Sequence, residues 1–363
     1  MNDAKSSRYH RLRRRSAALS IATTMVLLIA LLVTGASAAI RNVAGGSVAL
    51  YVLLLAVIRE SIAFPQAWYR SFFLERRYAL SAETAGMWLR DHAKASVLAV
   101  IVGIAGAEVV YFLLRQLPRA WWAASALIFA GALVLLARLA PIVLLPLFYR
   151  TRPLERESLR DRLVALSQRA GVPVLGVYEW SLGDKTRRAN AALVGTGATR
   201  RILLSDTLLA NYTDDEIEVI LAHEMGHHVH GDMLKGLGAD LVLLVVAFYA
   251  ASAAIARWWS ALGLTGPADV AGLPLLLLAG GAVSLAATPL VNALSRFNER
   301  RADRYALGLT RSPASFVSAM KRLAAQNMAE EHPSRAALWL FHSHPPFEQR
   351  IRAAQAYRSQ PGR

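Results

Sequence analysis

The sequence predicts a polytopic α-helical membrane protein of about six spans that carries a small α+β domain on one side of the membrane. Three observations carry that prediction: 55% of the 363 residues are hydrophobic, apolar runs of bilayer length recur along the chain, and two long polar segments interrupt or follow them. An ordinary soluble domain is less apolar than this. The absence of cysteine excludes disulfides, thiolate metal ligands and cysteine nucleophiles. A net charge of +16 is scattered among the apolar runs, with no aromatic-basic platform and no DNA-reading motif. Nucleic acid is therefore not an expected partner, whereas membrane lipids are.

In chain order the apolar runs cover 17–40, 45–64, 95–116, 121–148, 236–257 and 270–294, each near the ~20 residues that cross a bilayer as a helix. A basic N-terminal arm, 1–16, precedes them. The arm and the later "GASAA" have the look of a signal peptide, but the apolar run is long for one and a second run follows closely. An uncleaved first helix is expected. The second run carries Arg59 and Glu60 near its end, and the sixth contains Gly280, Gly281 and Pro289. Four runs make an N-terminal membrane domain, 17–148. The last two form a helical hairpin at about 236–294 that interrupts a second domain, 149–355, and residues 356–363 form a tail. Glu108, Arg138 and Asp240 lie within or at the edges of spans, where an ionisable group is expected to face a partner or a water-filled cavity.

Charge asymmetry sets the orientation. With the N-terminus inside, the short outer loops hold only Arg41, Arg115, Arg119 and Arg257, while Lys5–Arg15, Arg70–Lys94, Arg150–Arg201 and Arg296–Arg363 lie within. The predicted location is a bacterial cytoplasmic membrane with both long polar segments on the cytoplasmic side.

The first polar segment needs a fold of its own. "TRPLERESLRDRLVALSQRAGV" spaces Leu159, Leu163 and Leu166 as one face of an amphipathic helix that stops at Gly171. "PVLGVYEWSL", "RANAALVGTG" and "RRILLSDTLL" read as three short strands. Thr213 followed by Glu216 is a capping-box pattern, and Asp214, Asp215 and Glu216 suit the positive end of a helix dipole, so a helix begins at Thr213 and runs through the histidines that follow.

That helix carries "LAHEMGHHVHGD". His223 and His227 are four residues apart, so both imidazoles project from one face and can grip one ion. Glu224 is placed to reach an attacking water rather than the ion. This is the H-E-x-x-H arrangement: two neutral nitrogen ligands for one Zn2+ and a general base. His228 and His230 read as solvated or helix-capping residues. A hydrolytic zinc wants a third protein ligand. The metzincin pattern would put a histidine at 233, which is Met233, so that subclass is excluded. After the sixth run, "LSRFNERRADRYALGL" offers Glu299 and Asp303, again four apart, with Ala302 and Ala306 leaving room for close packing. Glu299 can complete the site while Asp303 fixes an imidazole tautomer. Spacing alone equally allows both acids to pair with Arg296, Arg300 or Arg304 on a solvated face.

These motifs, with the apolar pair between them and "SHPPFEQRI" after them, resemble the integral-membrane zinc metallopeptidases typified by the eukaryotic CaaX prenyl endopeptidase. "PQAWYRSFFLERRYALSAETAGMWLRDHAK" and "APIVLLPLFYRTRPL" are similar to that family's N-terminal half, so the likeness covers roughly residues 50–355 in the family's order. The resemblance implies a zincin-like α+β metallopeptidase domain in which His223, His227 and Glu299 hold the zinc. It further implies Glu224 as catalytic base and acid, Asp303 as the carboxylate behind a ligand, His344 near the scissile carbonyl and Arg350 as an organiser of the site. Asn190, Ala191 and Ala192 in "RANAALVG" match the family's edge strand, where an extended substrate adds by backbone pairing. The expected partner is a peptide or protein substrate, with or without an attached lipid. The eukaryotic enzymes are described with seven spans against the six here, and nothing in the sequence identifies a prenyl pocket.

Three other readings compete. A membrane quality-control protease of the heat-shock type shares the zinc chemistry but is shorter, without a counterpart of 65–94. A site-2-type protease sets its motif within a span and adds an Asp-Gly ligand, whereas "TDDEIE" precedes the motif here and no Asp-Gly pair exists. A non-catalytic metal-binding scaffold or transporter has no use for Glu224 as a base.

Overall fold

The computed structural model describes residues 3–358 apart from 196 and 331; the ends of the expected arm (1–2) and tail (359–363) lie outside the described residues. Helix α1 (Asp3–Val33) begins in the basic arm and continues into the first apolar run, because no glycine or proline interrupts 3–33. The short α2 (Ala36–Val43) follows Gly35, whose φ of +75° turns the chain. Helix α3 (Val48–Ala67) starts at Ser47, whose hydroxyl accepts from Leu50 N. After Pro65 it widens into a π-helical turn (Trp68–Phe73) and ends as α4 (Leu74–Arg77). Helices α5 (Ala85–Gln116) and α6 (Trp121–Phe148) complete the N-terminal half.

Strand β1 (Thr151–Pro153) opens the polar domain, so the predicted amphipathic helix starts later, as α7 (Glu157–Arg169). Strands β2 (Gly176–Trp180), β3 (Ala191–Val194) and β4 (Arg201–Ser205) follow. The sheet order is β1-β2-β4-β3, with β2 and β4 parallel and the outer strands antiparallel to their neighbours. Ser205 both ends β4 and caps α8 (Asp206–Asn211), a turn of helix the strand pattern had concealed. Then come α9 (Asp214–Val229), α10 (Asp232–Trp258), α11 (Leu273–Thr310), α12 (Pro313–Gln326), α13 (Arg335–Phe341) and α14 (Phe347–Arg358).

Among the described residues six helices are long and apolar enough to cross a membrane, namely α1, α3 with its extension, α5, α6, α10 and α11. The chain is an integral membrane protein. The contrast in cover agrees: Leu159, Leu163, Leu166, Ile202 and Leu204 of the polar domain are fully buried, while Leu127 of α6 is 76% exposed. Acyl chains replace protein as the cover for such residues. The membrane helices enclose an apolar cavity of about 1400 Å³ whose charged and imidazole lining comes from Arg59, Glu60 and His92. Glu108, Arg138 and Asp240 do not line it.

Two features position the site. Gly226 packs on Ala302, and a Cβ at 226 would stand 3.0 Å from the Ala302 backbone, so α9 and α11 approach as only small residues permit. Helix α11 runs unbroken from the sixth apolar run through Glu299 and Asp303, so both acids ride on the rod that crosses the membrane.

Candidate metal centre

The capping box forms as expected. Thr213 Oγ1 accepts from Glu216 N (3.3 Å), and Glu216 Oε2 accepts from Thr213 N (2.9 Å). Glu216 Oε1 also accepts from Ser318 Oγ (2.5 Å) and pairs with Arg322 (3.0 Å), which ties α9 to α12. From this fixed start, one turn of α9 separates His223 from His227. Their Nε2 atoms point at each other, 3.1 Å apart. Glu299 reaches both: Oε2 lies 3.4 Å from His223 Nε2, and Oε1 lies 3.3 Å from His227 Nε2.

These three residues form a group whose ligand atoms all lie within 4.8 Å of one another. Spacings of 3.1–3.4 Å suit three corners of a tetrahedron around a zinc with bonds of ~2.0–2.1 Å, whose edges measure roughly 3.3 Å. The Glu299 Oε2 atom is buried without a hydrogen-bond donor, which a cation at the centre would remedy. The donor set of two imidazoles and one carboxylate is that of a catalytic zinc with an open position. The residues present fit the ion.

Behind the ligand atoms stand two carboxylates. His223 Nδ1 lies 2.9 Å from Asp303 Oδ1, and His227 Nδ1 lies 3.0 Å from Asp232 Oδ2. Each leaves Nε2 free to face the centre and fixes the imidazole tautomer. Arg350 grips Asp303 with two bonds, Nε to Oδ2 (2.9 Å) and Nη2 to Oδ1 (2.6 Å). Asp232 was not recognised as part of the site from sequence. It reaches His227 because Gly231, at φ +66°, lets the chain turn sharply between α9 and α10. An acid five residues after the second histidine was the available signal.

The electrostatics follow from burial. Burial disfavours a proton on His223, but the carboxylates of Asp303 and Glu299 beside it outweigh that cost, and its pKa is pushed up to about 9 in the metal-free cluster. His227 is raised for the same reasons, with Glu299 and Asp232 as partners. Burial pushes the Glu224 carboxyl up, against the opposing charges of His223 and His227. A raised carboxyl suits a group that must take and release a proton near neutrality.

His344 Nδ1 lies 2.8 Å from Glu299 Oε1 while the residue stays exposed, at the mouth of the group. Asn190, Ala191 and Ala192 lie at the sheet edge: Ser205 N donates to Asn190 O, Asn190 N donates to Ser205 Oγ, and among the described residues β3 pairs on one side only, with β4. His230 caps α9, with Nδ1 2.7 Å from Gly226 O.

A profile of Peptidase family M48 matches residues 153–358, and one described as CAAX prenyl protease N-terminal, five membrane helices, matches 3–150. The chain belongs to peptidase family M48. Like the family, it is a metalloprotease. Relatives of this M48 peptidase include the uncharacterized metalloprotease YhfN of Bacillus subtilis, 30% identical over 86% of this chain and 74% of the relative. The probable CAAX prenyl protease 1 of Schizosaccharomyces pombe is 26% identical over 82% of this chain and 64% of its own length. The crystal structure of Saccharomyces mikatae Ste24p shares the fold, with a TM-score of 0.84 at 21% identity, over 97% of this chain and 88% of that one. The chain thus spans less than two thirds of the S. pombe protease.

Proposed function

We propose that this M48 peptidase is a zinc-dependent endopeptidase that cuts C-terminal regions of peptides or proteins at the cytoplasmic face of a bacterial membrane. The observation that carries the reading is the convergence of two imidazole nitrogens and an undonated carboxylate oxygen beside a buried acid, Glu224, that stands outside that group. His223, His227 and Glu299 hold one Zn2+ per chain. A zinc held there supplies Lewis-acid polarisation of the peptide carbonyl and acidifies water. Glu224 takes the proton of the attacking water and passes it to the leaving amine. His344, at the exposed mouth, donates to the developing oxyanion. Asp303 and Arg350 hold His223 in place, and the edge at Asn190–Ala192 holds the substrate backbone as an added strand.

Residues 17–148 serve as the membrane domain, and 149–355 as the peptidase domain interrupted by the α10–α11 hairpin. The cytoplasmic placement rests on the loop charges. The names of the eukaryotic relatives favour prenylated C-terminal substrates.

The test pairs wild type with Glu224→Gln in detergent, measuring zinc content and cleavage of quenched C-terminal peptides with and without a farnesyl group. One zinc in each protein, with cleavage reduced about 10²–10⁴-fold in the variant, is expected. Zinc in both and cleavage by neither across a broad peptide set would favour the scaffold or transporter reading. Equal cleavage of the two peptides would remove the lipid requirement alone.

A further inference from the structure

Helix α13 leaves three consecutive bulky apolar side chains in the open: Trp339, Leu340 and Phe341 are 49%, 46% and 45% exposed. Exposed apolar residues scattered singly are ordinary, but a contiguous trio marks a contact surface. Its height in the molecule fixes what it contacts. Asn292 Nδ2 donates to Trp339 O (3.0 Å), and Arg296 Nη1 donates to Leu338 O (2.9 Å) and His342 O (2.7 Å). The Arg296 guanidinium also lies 5.4 Å over the Trp339 ring. Asn292 and Arg296 are the first amide and the first charge that α11 presents after its apolar stretch.

The opposite flank gives the same level independently. Glu330, ahead of α13, pairs with Arg14 just before the apolar run of α1, and lies 3.7 Å from His342 just after α13. Helix α11 therefore holds α13 directly and α1 holds the segment ahead of it, both at the ends of their apolar runs. Ala337 is buried against the protein, while Trp339 shares the outer face with the exposed Arg335 four residues before it, and Leu340 and Phe341 are exposed at the end of the helix.

We propose that α13 is an interfacial anchor that lies in the plane of the membrane, with Trp339, Leu340 and Phe341 seated at the boundary of headgroups and acyl chains. Its occupant is the bilayer itself, because the patch continues the membrane contact of α1 and α11. Tryptophan and arginine together suit that boundary, where one end of each side chain is apolar and the other wet. The anchor runs directly into the loop bearing His344, 2.8 Å from Glu299. Membrane contact thereby fixes the height of that loop over the metal group.

The chain has no cysteine, so a single nitroxide can be placed by Leu340→Cys in the full-length protein. The labelled protein is reconstituted in vesicles of phosphatidylcholine and phosphatidylglycerol, and the label's collisions with oxygen and with a water-soluble nickel chelate are compared. Leu127→Cys on the outer face of α6 and Glu157→Cys on α7 serve as lipid and aqueous references. Several-fold more access to oxygen than to nickel, as at Leu127, is expected. A label as open to nickel as that at Glu157 overturns the proposal. A label that neither reagent reaches also overturns it, because protein rather than lipid would then cover the patch.

Discussion

The two imidazoles of α9 stand one turn apart and meet different walls. His223 is buried, with Asp303 at 2.9 Å and Arg350 locked onto that carboxylate from behind. His227 keeps a quarter of its side chain exposed and leans on Asp232, which faces Arg301 and the half-exposed Lys235 at 3.5 and 3.6 Å. One motif thus builds a sealed wall and an open one. The sealed side carries a matched pair of buried charges; the open side leaves an imidazole partly in contact with solvent.

Substitutions behind the two histidines test this difference. Asp303→Ala strands the buried Arg350 charge and frees His223. It should cost about 3–5 kcal/mol of stability and weaken zinc binding about 10–100-fold, read by thermal melting and chelator competition. An equal loss of stability from Asp232→Ala would erase the distinction between the walls.

Proton linkage sharpens it next. His223 without metal is raised from 6.5 to about 9, so the folded state holds a proton the unfolded chain releases sooner. Its stabilisation is complete below pH 6.5 and is lost as pH rises through about 9. Zinc replaces that proton, so the loaded protein should not show the loss. Melting curves of chelator-treated and zinc-loaded protein across this window should diverge as pH rises, and parallel curves would sink the assignment. The smallest effect belongs to Asp232→Asn, which keeps shape and removes charge where neighbouring cations are partly solvated. Zinc affinity should fall about tenfold with the melting temperature little changed.

Local signals made much of this architecture legible. The Thr213–Glu216 box and the histidine spacing need only one helix, and the apolar runs need only length. What escaped depends on distant partners. Thr151–Pro153 forms a strand because β2 pairs with it, and three residues carry no period of their own. Asp232 acquires its role only through the turn at Gly231. Spacing left Asp303 balanced between an imidazole and a nearby arginine, and the structure gives it both, although the arginine is Arg350, far along the chain. Arg296, one of three neighbours weighed for that pairing, instead holds backbone carbonyls at 338 and 342. The basic arm continues α1 without a break, and Ser6 and His10 tie it down through the carbonyls at Met328 and Ala329.

Between His227 and Glu299 the chain traverses the bilayer out and back along α10 and α11. A nascent molecule therefore owns the two histidines long before it owns Glu299, and joins that carboxylate to them only when the returning helix is in place. On the ligand set proposed above, hydrolytic competence would be licensed by biogenesis: a copy whose hairpin has not folded back would be an inert chain rather than a stray protease.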